Sequence, residues 1–317
     1  MKTMLKHLEI GARITDFFVC SHKAVRVDRN GNKFLSLRLS DASGNVGAIM
    51  WDVTDSIIDS FSQGDVVRIQ GLVTSDNRGQ MQLKLDRIRR AGDEDEFDLA
   101  SLLPASARGV EEMEAELAQV RSSMSNPSLT ALLDALFDDP VAYRAFCDSP
   151  AAKGFHHNYI HGLLEHSISV CQLADSIAAH FEGEVNRDLL VTGALLHDIG
   201  KTVEFDYTTA IDYSDSGRLL GHIVLGEKIV SDAIRRVEGF PQELGLQLLH
   251  LILAHHGEYE YGSPRRPKTL EAFILNHADD IDAKANVFTR LRGESSEAWS
   301  EFNRVLERFL YLRRAEE

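Results

Sequence analysis

From Asp16 to Arg90 apolar residues recur at every second position, in short runs separated by turn signals. The run DFFVCSHKAVRVD leads into Arg29-Asn30-Gly31-Asn32. KFLSLRLSD then alternates strictly, with Leu35, Leu37 and Leu39 on one face and Phe34, Ser36 and Arg38 on the other. Beyond Ser43-Gly44-Asn45 come VGAIMWD, the short amphipathic VTDSIIDSF and, after Gly64-Asp65, VVRIQGLVTSD. Asn77-Arg78-Gly79 turns into MQLKLDRIRR, where Met81, Leu83 and Leu85 alternate again. The period then changes. An acidic linker, GDEDEFDLASLLP, precedes RGVEEMEAELAQVRSSM, which reads as an amphipathic helix. Pro127, just after Ser125-Asn126, opens a second helix, and Asp139-Pro140 starts a third. These three either bridge two domains or cover one side of the second.

Beyond Ala151 the spacing is helical almost throughout. A long helix is expected from Asn158 to Phe181, with Leu163, His166, Val170, Leu173 and Ile177 on one stripe. Leu190, Ala194 and His197 form a similar stripe, and His222 shares a face with Gly226, Ile229 and Ala233. LGLQLLHLILAHHGE ends in the pair His255–His256. In LEAFILNHADDIDAKAN, Ala272, Leu275 and Asp279 share a face, with Asp280 about 100° round beside His277. A last helix is expected from Ala298 to Leu312, with Phe302, Val305 and Phe309 free to pack on their own domain or on a second subunit. Five strands with one helix between the third and fourth is the OB-fold order. The expected fold is therefore multidomain: an N-terminal all-β OB-fold barrel over residues 1–91, a linker and bridging helices over 92–150, and an all-α domain over 151–317.

A chain of 317 residues, 44% hydrophobic and 26% charged, is that of a soluble globular protein with room for two or three cores. No segment has the apolar length of a membrane span, and MKTMLKHLEIGARI has neither the apolar core nor the cleavage site of a secretory signal. Cys20, Cys147 and Cys171 are too few and too scattered for a disulfide framework, which points to a reducing cytoplasm. The net charge of −15 disfavours a nucleic-acid partner until it is divided. Residues 1–91 hold 14 Lys+Arg against 10 Asp+Glu, about +4, which leaves about −19 on the rest. Binding of an anionic strand belongs to the front module.

OB-folds stack bases and track a backbone on the face of their second and third strands. Phe34 and Arg38 lie on the non-leucine face of the second strand, and Trp51 closes the third. Arg68 and Lys84 sit on polar faces of later strands. These five are the candidate nucleic-acid contacts. The alternative is that Phe34 and Trp51 plug the ends of the barrel and the cations are merely solvated.

Of 13 histidines, only His7 and His22 lie outside residues 156–277. The stretch ALLHDIGK, residues 194–201, ends an apolar helix in His197–Asp198, with Gly200 as a natural helix stop. By itself the dipeptide reads more readily as a capped helix end than as a metal site. However, five apolar helices each bring an imidazole or a carboxylate to an inward face, and burying so many polar groups unpartnered costs several kcal/mol each. A shared metal cluster satisfies all of them at once. His7, His22, His180, His250 and His277 do not fit that pattern and read as surface or structural residues.

The order His166, His197–Asp198, Asp279 resembles the H…HD…D signature of the HD phosphohydrolase superfamily, and His222 with His255–His256 resembles its two-metal members. The resemblance implies one divalent ion on His166, His197, Asp198 and Asp279. It implies a second on His222, His255 and His256, with Asp198 bridging and a hydroxide activated between them. Lys201 would reach phosphate oxygen. An OB-fold joined to such a domain, with HHNYIHGLLEHSISV before the motif and HHGEYEYGSP after it, looks like the YhaM-type 3′→5′ exoribonucleases. That likeness implies stepwise hydrolysis of single-stranded RNA, and of DNA as an alternative substrate, to nucleoside monophosphates. It also implies manganese, with iron, cobalt or magnesium also suited to the ligands. His156 and His157 become either phosphate contacts or structural residues at a helix start. Related cyclic-dinucleotide phosphodiesterases carry a GYP tripeptide after the paired histidines. Here Gly262-Ser263-Pro264 stands instead, which argues against that substrate. The competing function is a phosphohydrolase of small nucleotides with the barrel as regulator. A non-catalytic binding protein would have no need of seven matched ligand positions.

Overall fold

The computed structural model describes all residues except 1–3, 29, 77–78, 93, 98–100, 103–105, 107, 153–158, 207–210, 295–296, 304–305 and 314–317. Two compact units result, one of residues 1–105 with 206–212 and one of residues 106–205 with 213–317. The segment set apart above as linker and bridging helices is thus divided, 92–105 falling with the first unit and 106–150 with the second.

In the first unit the alternating runs become β1 (Arg13–Val27), β2 (Lys33–Asp41), β3 (Gly44–Met50), β4 (Val66–Ser75) and β5 (Met81–Arg90), with helix α1 (Asp55–Asp59) before β4. Thr54 caps α1 by accepting from the Ile57 N–H. The strands close in the order β1-β2-β3-β5-β4. β1 is long enough to serve both neighbours. Its first half, Arg13–Val19, pairs antiparallel with β4, and Val19–Val27 pairs antiparallel with β2 across a bulge between Cys20 and His22. A parallel pairing of Gly47–Ile49 with Gln82–Lys84 completes the circle. Phe18, Leu35, Leu39, Ile69 and Leu83 fill the interior and are fully buried. Period-two alternation then obliges Phe34, Ser36 and Arg38 to face outward. The order is that of an OB-fold barrel, as the sequence pattern predicts.

The second unit is helical: α2 (Val110–Ser122), α3 (Pro127–Phe137), α4 (Pro140–Asp148), α5 (Gly162–His180), α6 (Arg187–Leu196), α7 (Lys201–Glu204), α8 (Asp215–Arg236), α9 (Gln242–Ala254) and α10 (Leu270–Glu294). Asn126 and Asp139 cap α3 and α4 immediately before Pro127 and Pro140, at the starts the prolines predict. Met113, Leu117, Leu129 and Phe146 of α2–α4 share one core with Leu164, Leu190, Val230, Leu251 and Leu275. No helix among the described residues is long and apolar enough to cross a membrane.

Three local expectations are corrected here, for the long helix, for Gly200 and for the last segment. The long helix begins at Gly162, because His161 takes a left-handed conformation (φ 68°) and ties its Nδ1–H to the Cys147 carbonyl at 2.9 Å. Gly200 does not turn the chain through a left-handed conformation: its φ of −62° is ordinary. Its role is closeness, since a Cβ there would lie 2.0 Å from the His222 carbonyl oxygen. The helix carrying His222 starts earlier than its apolar pattern, at Asp215, and is broken at Gly221, whose φ of 73° and ψ of 158° suit glycine alone. Finally, the described residues between 298 and 312 form no helix. Trp299 bridges Tyr311 and Asn303 bridges Arg308 in an antiparallel pairing. Leu306, Leu310 and Leu312 turn inward onto Val287, and Phe302 and Phe309 stay exposed. The i, i+3, i+7 spacing of large apolar residues is misleading because the leucines that follow them carry the packing; Val305 lies outside the described residues.

Candidate active site

Four helices and the turn after α6 deliver the polar groups to one point. His166 comes from α5, and His197 and Asp198 follow the last turn of α6. His222 lies just past the break in α8, His255 and His256 cap α9, and Asp279 lies on α10. His166, His197 and His255 are fully buried, and Asp198 is 2% exposed. The ligand atoms fall into two groups, His166 with His197 and Asp198, and His222 with His255 and His256, each group within 4.8 Å. Asp279 joins the first group, with its Oδ1 3.2 Å from His166 Nε2 and 3.9 Å from His197 Nε2. All seven predicted ligands are brought together.

Asp198 stands between the groups. Its Oδ2 lies 3.4 and 3.3 Å from the Nε2 atoms of His166 and His197, and its Oδ1 lies 3.4 and 3.6 Å from those of His222 and His255. Lys201, itself buried, donates to Oδ2 at 2.6 Å. The lysine is therefore not a solvated cation at a helix end.

Every imidazole points the same way. His197 Nδ1 donates to the Ala194 carbonyl at 2.9 Å, His255 Nδ1 to Ile252 at 2.7 Å and His256 Nδ1 to Tyr261 at 2.9 Å. His166 Nδ1 meets Asp282 Oδ2 at 2.7 Å, and His222 Nδ1 meets Glu204 Oε1 at 3.3 Å. Carbonyls and carboxylates only accept, so each Nδ1 carries a proton and each Nε2 is turned inward, a lone-pair donor wherever the ring is neutral. The Nε2 atoms of His166 and His197 lie within hydrogen-bond distance of one another, at 3.2 Å. Asp198 Oδ1, His222 Nε2 and His255 Nε2 are buried and have no hydrogen-bond partner among the described residues. Leaving such atoms unpaired costs about 1–3 kcal/mol each. Converging lone pairs and orphaned acceptors, all nitrogen or carboxylate oxygen, fit divalent cations.

The electrostatics divide along the same line. Burial disfavours charge on His166, but the carboxylates of Asp198, Asp279 and Asp282 outweigh it and hold the imidazole well above its usual pKa. Burial likewise works against the Asp198 carboxylate, yet Lys201, His197 and His166 hold it well below the carboxylate range. On the other side burial, together with the neighbouring His256 and His197, pushes His255 well below the usual imidazole value. One half gathers the carboxylates; on the other, burial favours the neutral, nitrogen-donating form of His255 and His256.

Sequence reasoning missed Asp282 and Glu204, each nearly buried. Asp282 lies three residues past Asp279 on the same helix, a spacing that could have revealed it. Glu204 follows Lys201 by three, but its partner His222 is joined to it only through the fold. His156 and His157 lie outside the described residues.

On the barrel, Phe34 and Trp51 lie outside the core and against each other, ring centroids 4.6 Å apart and planes at 32°. They do not plug the interior. Arg38 lines a groove of about 730 Å³ with His22 and Arg26 from β1, neither of which the sequence singled out. Lys84 lines a neighbouring hollow of about 510 Å³ beside Trp51. Arg68 stands apart from these four. Its guanidinium lies 5.6 Å from the Phe17 ring, and it lines a hollow of about 380 Å³ with Arg87 and Arg89.

Comparison with known proteins agrees with this division. Residues 163–284 match the model of the HD domain, and residues 10–91 match that of an OB-fold nucleic acid binding domain. The second OB-fold domain of replication protein A from Methanococcus maripaludis is 18% identical over 31% of this chain and 100% of its own, with a TM-score of 0.24. A replication factor A related protein from Methanobacterium thermoautotrophicum is 21% identical over 31% and 96%, with a TM-score of 0.26. The 3′-5′ exoribonuclease YhaM of Geobacillus sp. (strain WCH70) is 32% identical over 284 residues, 90% of this chain and 86% of that protein. HD domains are metal-dependent phosphohydrolases, and this chain has a His/Asp cluster that could hold a metal ion. With both domains matched and nine-tenths of its length shared, the chain is a hydrolase that belongs to the family of the 3′-5′ exoribonuclease YhaM.

Proposed function

We propose that this protein removes nucleotides one at a time from the 3′ end of single-stranded RNA, and of single-stranded DNA as an alternative substrate, releasing nucleoside monophosphates. It uses two divalent ions, manganese by preference, and acts in RNA degradation in the cytoplasm. The observation that carries the reading is the single carboxylate Asp198, whose two oxygens face two separate groups of inward lone pairs. Divalent ions held there supply Lewis acidity at the scissile phosphate and at the attacking water. His166, His197, Asp198 and Asp279 would hold one ion, and His222, His255, His256 and the other oxygen of Asp198 the second. Lys201, fixed against Asp198, keeps a positive charge beside the position where phosphate charge develops. On the barrel, the half-buried Phe34 and exposed Trp51 together offer a face on which bases stack, while Arg38 and Lys84 balance the backbone. Three buried, unpaired cysteines suit a reducing compartment.

RNA labelled at its 5′ end should shorten in single-nucleotide steps, and a chelator should stop the reaction. A label that appears first in internal fragments would overturn the directionality. Turnover of free nucleotides with negligible loss of RNA would favour the small-nucleotide phosphohydrolase. Phe34→Ala should weaken binding of a single strand by about 1–3 kcal/mol for each base it stacks, read by a filter or anisotropy titration. Undiminished affinity would remove the aromatic pair from the interface.

A further inference from the structure

Three of the five inward imidazoles are held through backbone carbonyls, those of Ala194, Ile252 and Tyr261. The other two are held by buried carboxylates, and each belongs to a different ligand group. Asp282 Oδ2 lies 2.7 Å from His166 Nδ1, and its Oδ1 accepts from the Ser169 hydroxyl. Glu204 Oε1 lies 3.3 Å from His222 Nδ1 and also accepts the His222 backbone N–H at 3.0 Å. That second bond exists because Gly221 breaks α8, which leaves the His222 N–H at the start of a new helical segment with no carbonyl a turn behind it. One oxygen therefore fixes both the main chain and the ring of His222. Next to it, the Ser214 N–H donates to the Glu204 carbonyl at 2.9 Å, and a Cβ on Gly217 would lie 2.2 Å from that oxygen. Glu204 is held as closely as the residue it holds.

A carbonyl can orient an imidazole. A carboxylate orients it and also raises its basicity, and outer partners of this kind typically govern about 10–100-fold in metal affinity. We infer, on the metal-centre reading above, that Glu204 and Asp282 are positioning residues, one for each ion. Glu204 acts through His222, and Asp282 acts through His166. Neither touches substrate. Each sets a carboxylate behind an imidazole ligand, so the group of three histidines gains a second acidic neighbour besides the shared Asp198.

The test is Mn²⁺ titration of the full metal-stripped chain, with free ion read by electron paramagnetic resonance. Wild type should take up two ions. Glu204→Gln keeps an acceptor for the His222 N–H and should weaken one ion by about 10–100-fold, the same ion that His222→Ala weakens. Asp282→Asn should weaken the other. In the His222→Ala background, Glu204→Gln should change Mn²⁺ affinity less than about twofold, the mark of a residue that acts through its partner. Both affinities unchanged in Glu204→Gln and Asp282→Asn, or the full loss persisting without His222, would overturn the inference. A wild-type chain that binds no Mn²⁺ would overturn the metal reading itself, which is a distinguishable result. If circular dichroism shows that Glu204→Gln has lost its helix content, Glu204→Asp takes its place. It keeps the charge but falls a methylene short, so a similar loss is expected and an unchanged affinity overturns the assignment.

Discussion

Asp198→Asn should lower hydrolysis of single-stranded RNA by on the order of 10³-fold, the scale of removing one preorganised electrostatic group, and leave strand affinity nearly unchanged. The substitution keeps the volume of the side chain but not its symmetry. In the native site both carboxylate oxygens face lone pairs, Oδ2 toward His166 and His197 and Oδ1 toward His222 and His255. An amide offers one oxygen only, so its NH₂ must occupy the other side, where it cannot act as an acceptor. The same change strips the counter-charge from buried Lys201. Orphaning a buried charge costs about 3–5 kcal/mol, so kcat/KM should be compared below the melting range with helix content checked in parallel. A folded variant that hydrolyses RNA at the native rate would remove Asp198 from the catalytic centre.

Gly200→Ala should destabilise the helical unit by about 3 kcal/mol or more, at the upper end of the cost of overpacking. The added methyl would lie 2.0 Å from the His222 carbonyl oxygen and 2.6 Å from the Gly226 nitrogen. Both are backbone atoms of α8, so no side chain can rotate away to make room. Relief requires the helix to move, and His222 moves with it. Melting should fall by roughly 6–12 °C for a unit of this size, and Mn²⁺ binding should weaken in whatever fraction stays folded. A variant that melts within a degree of wild type would show that the approach is looser than its distances indicate.

Gly200 also marks how far the amino-acid order could be read. Its neighbours His197 and Asp198, with His166, His222, His255, His256 and Asp279, were legible because helical periodicity set each against an apolar stripe, and a polar residue on such a stripe must have a partner. The strands were legible for the same reason at period two. What periodicity does not carry is contact between segments distant in the chain. Nothing local distinguishes a glycine that stops a helix from one that lets another helix approach. Glu204 looked like any acidic residue after a lysine, because its meaning lies in His222, eighteen positions on. Arg68 alternated onto a polar face just as Lys84 did, yet barrel closure put it beside Phe17. In the last segment the large aromatics imitated a helical stripe, while Leu306, Leu310 and Leu312, less conspicuous, did the burying.

The ligands that converge on Asp198 are drawn from a stretch running from His166 to Asp279, 113 positions apart. An unfolded chain cannot hold donors so widely spaced at one point without the full entropy of closing those loops. Ions held as proposed would therefore bind the native bundle and not the denatured chain, and by mass action free metal at 100 times its dissociation constant would add about 2.7 kcal/mol to stability. On that reading the divalent-ion level around this protein would act on two quantities through one set of side chains. It would set the rate at which RNA is consumed, and it would set how seldom the bundle opens to a protease.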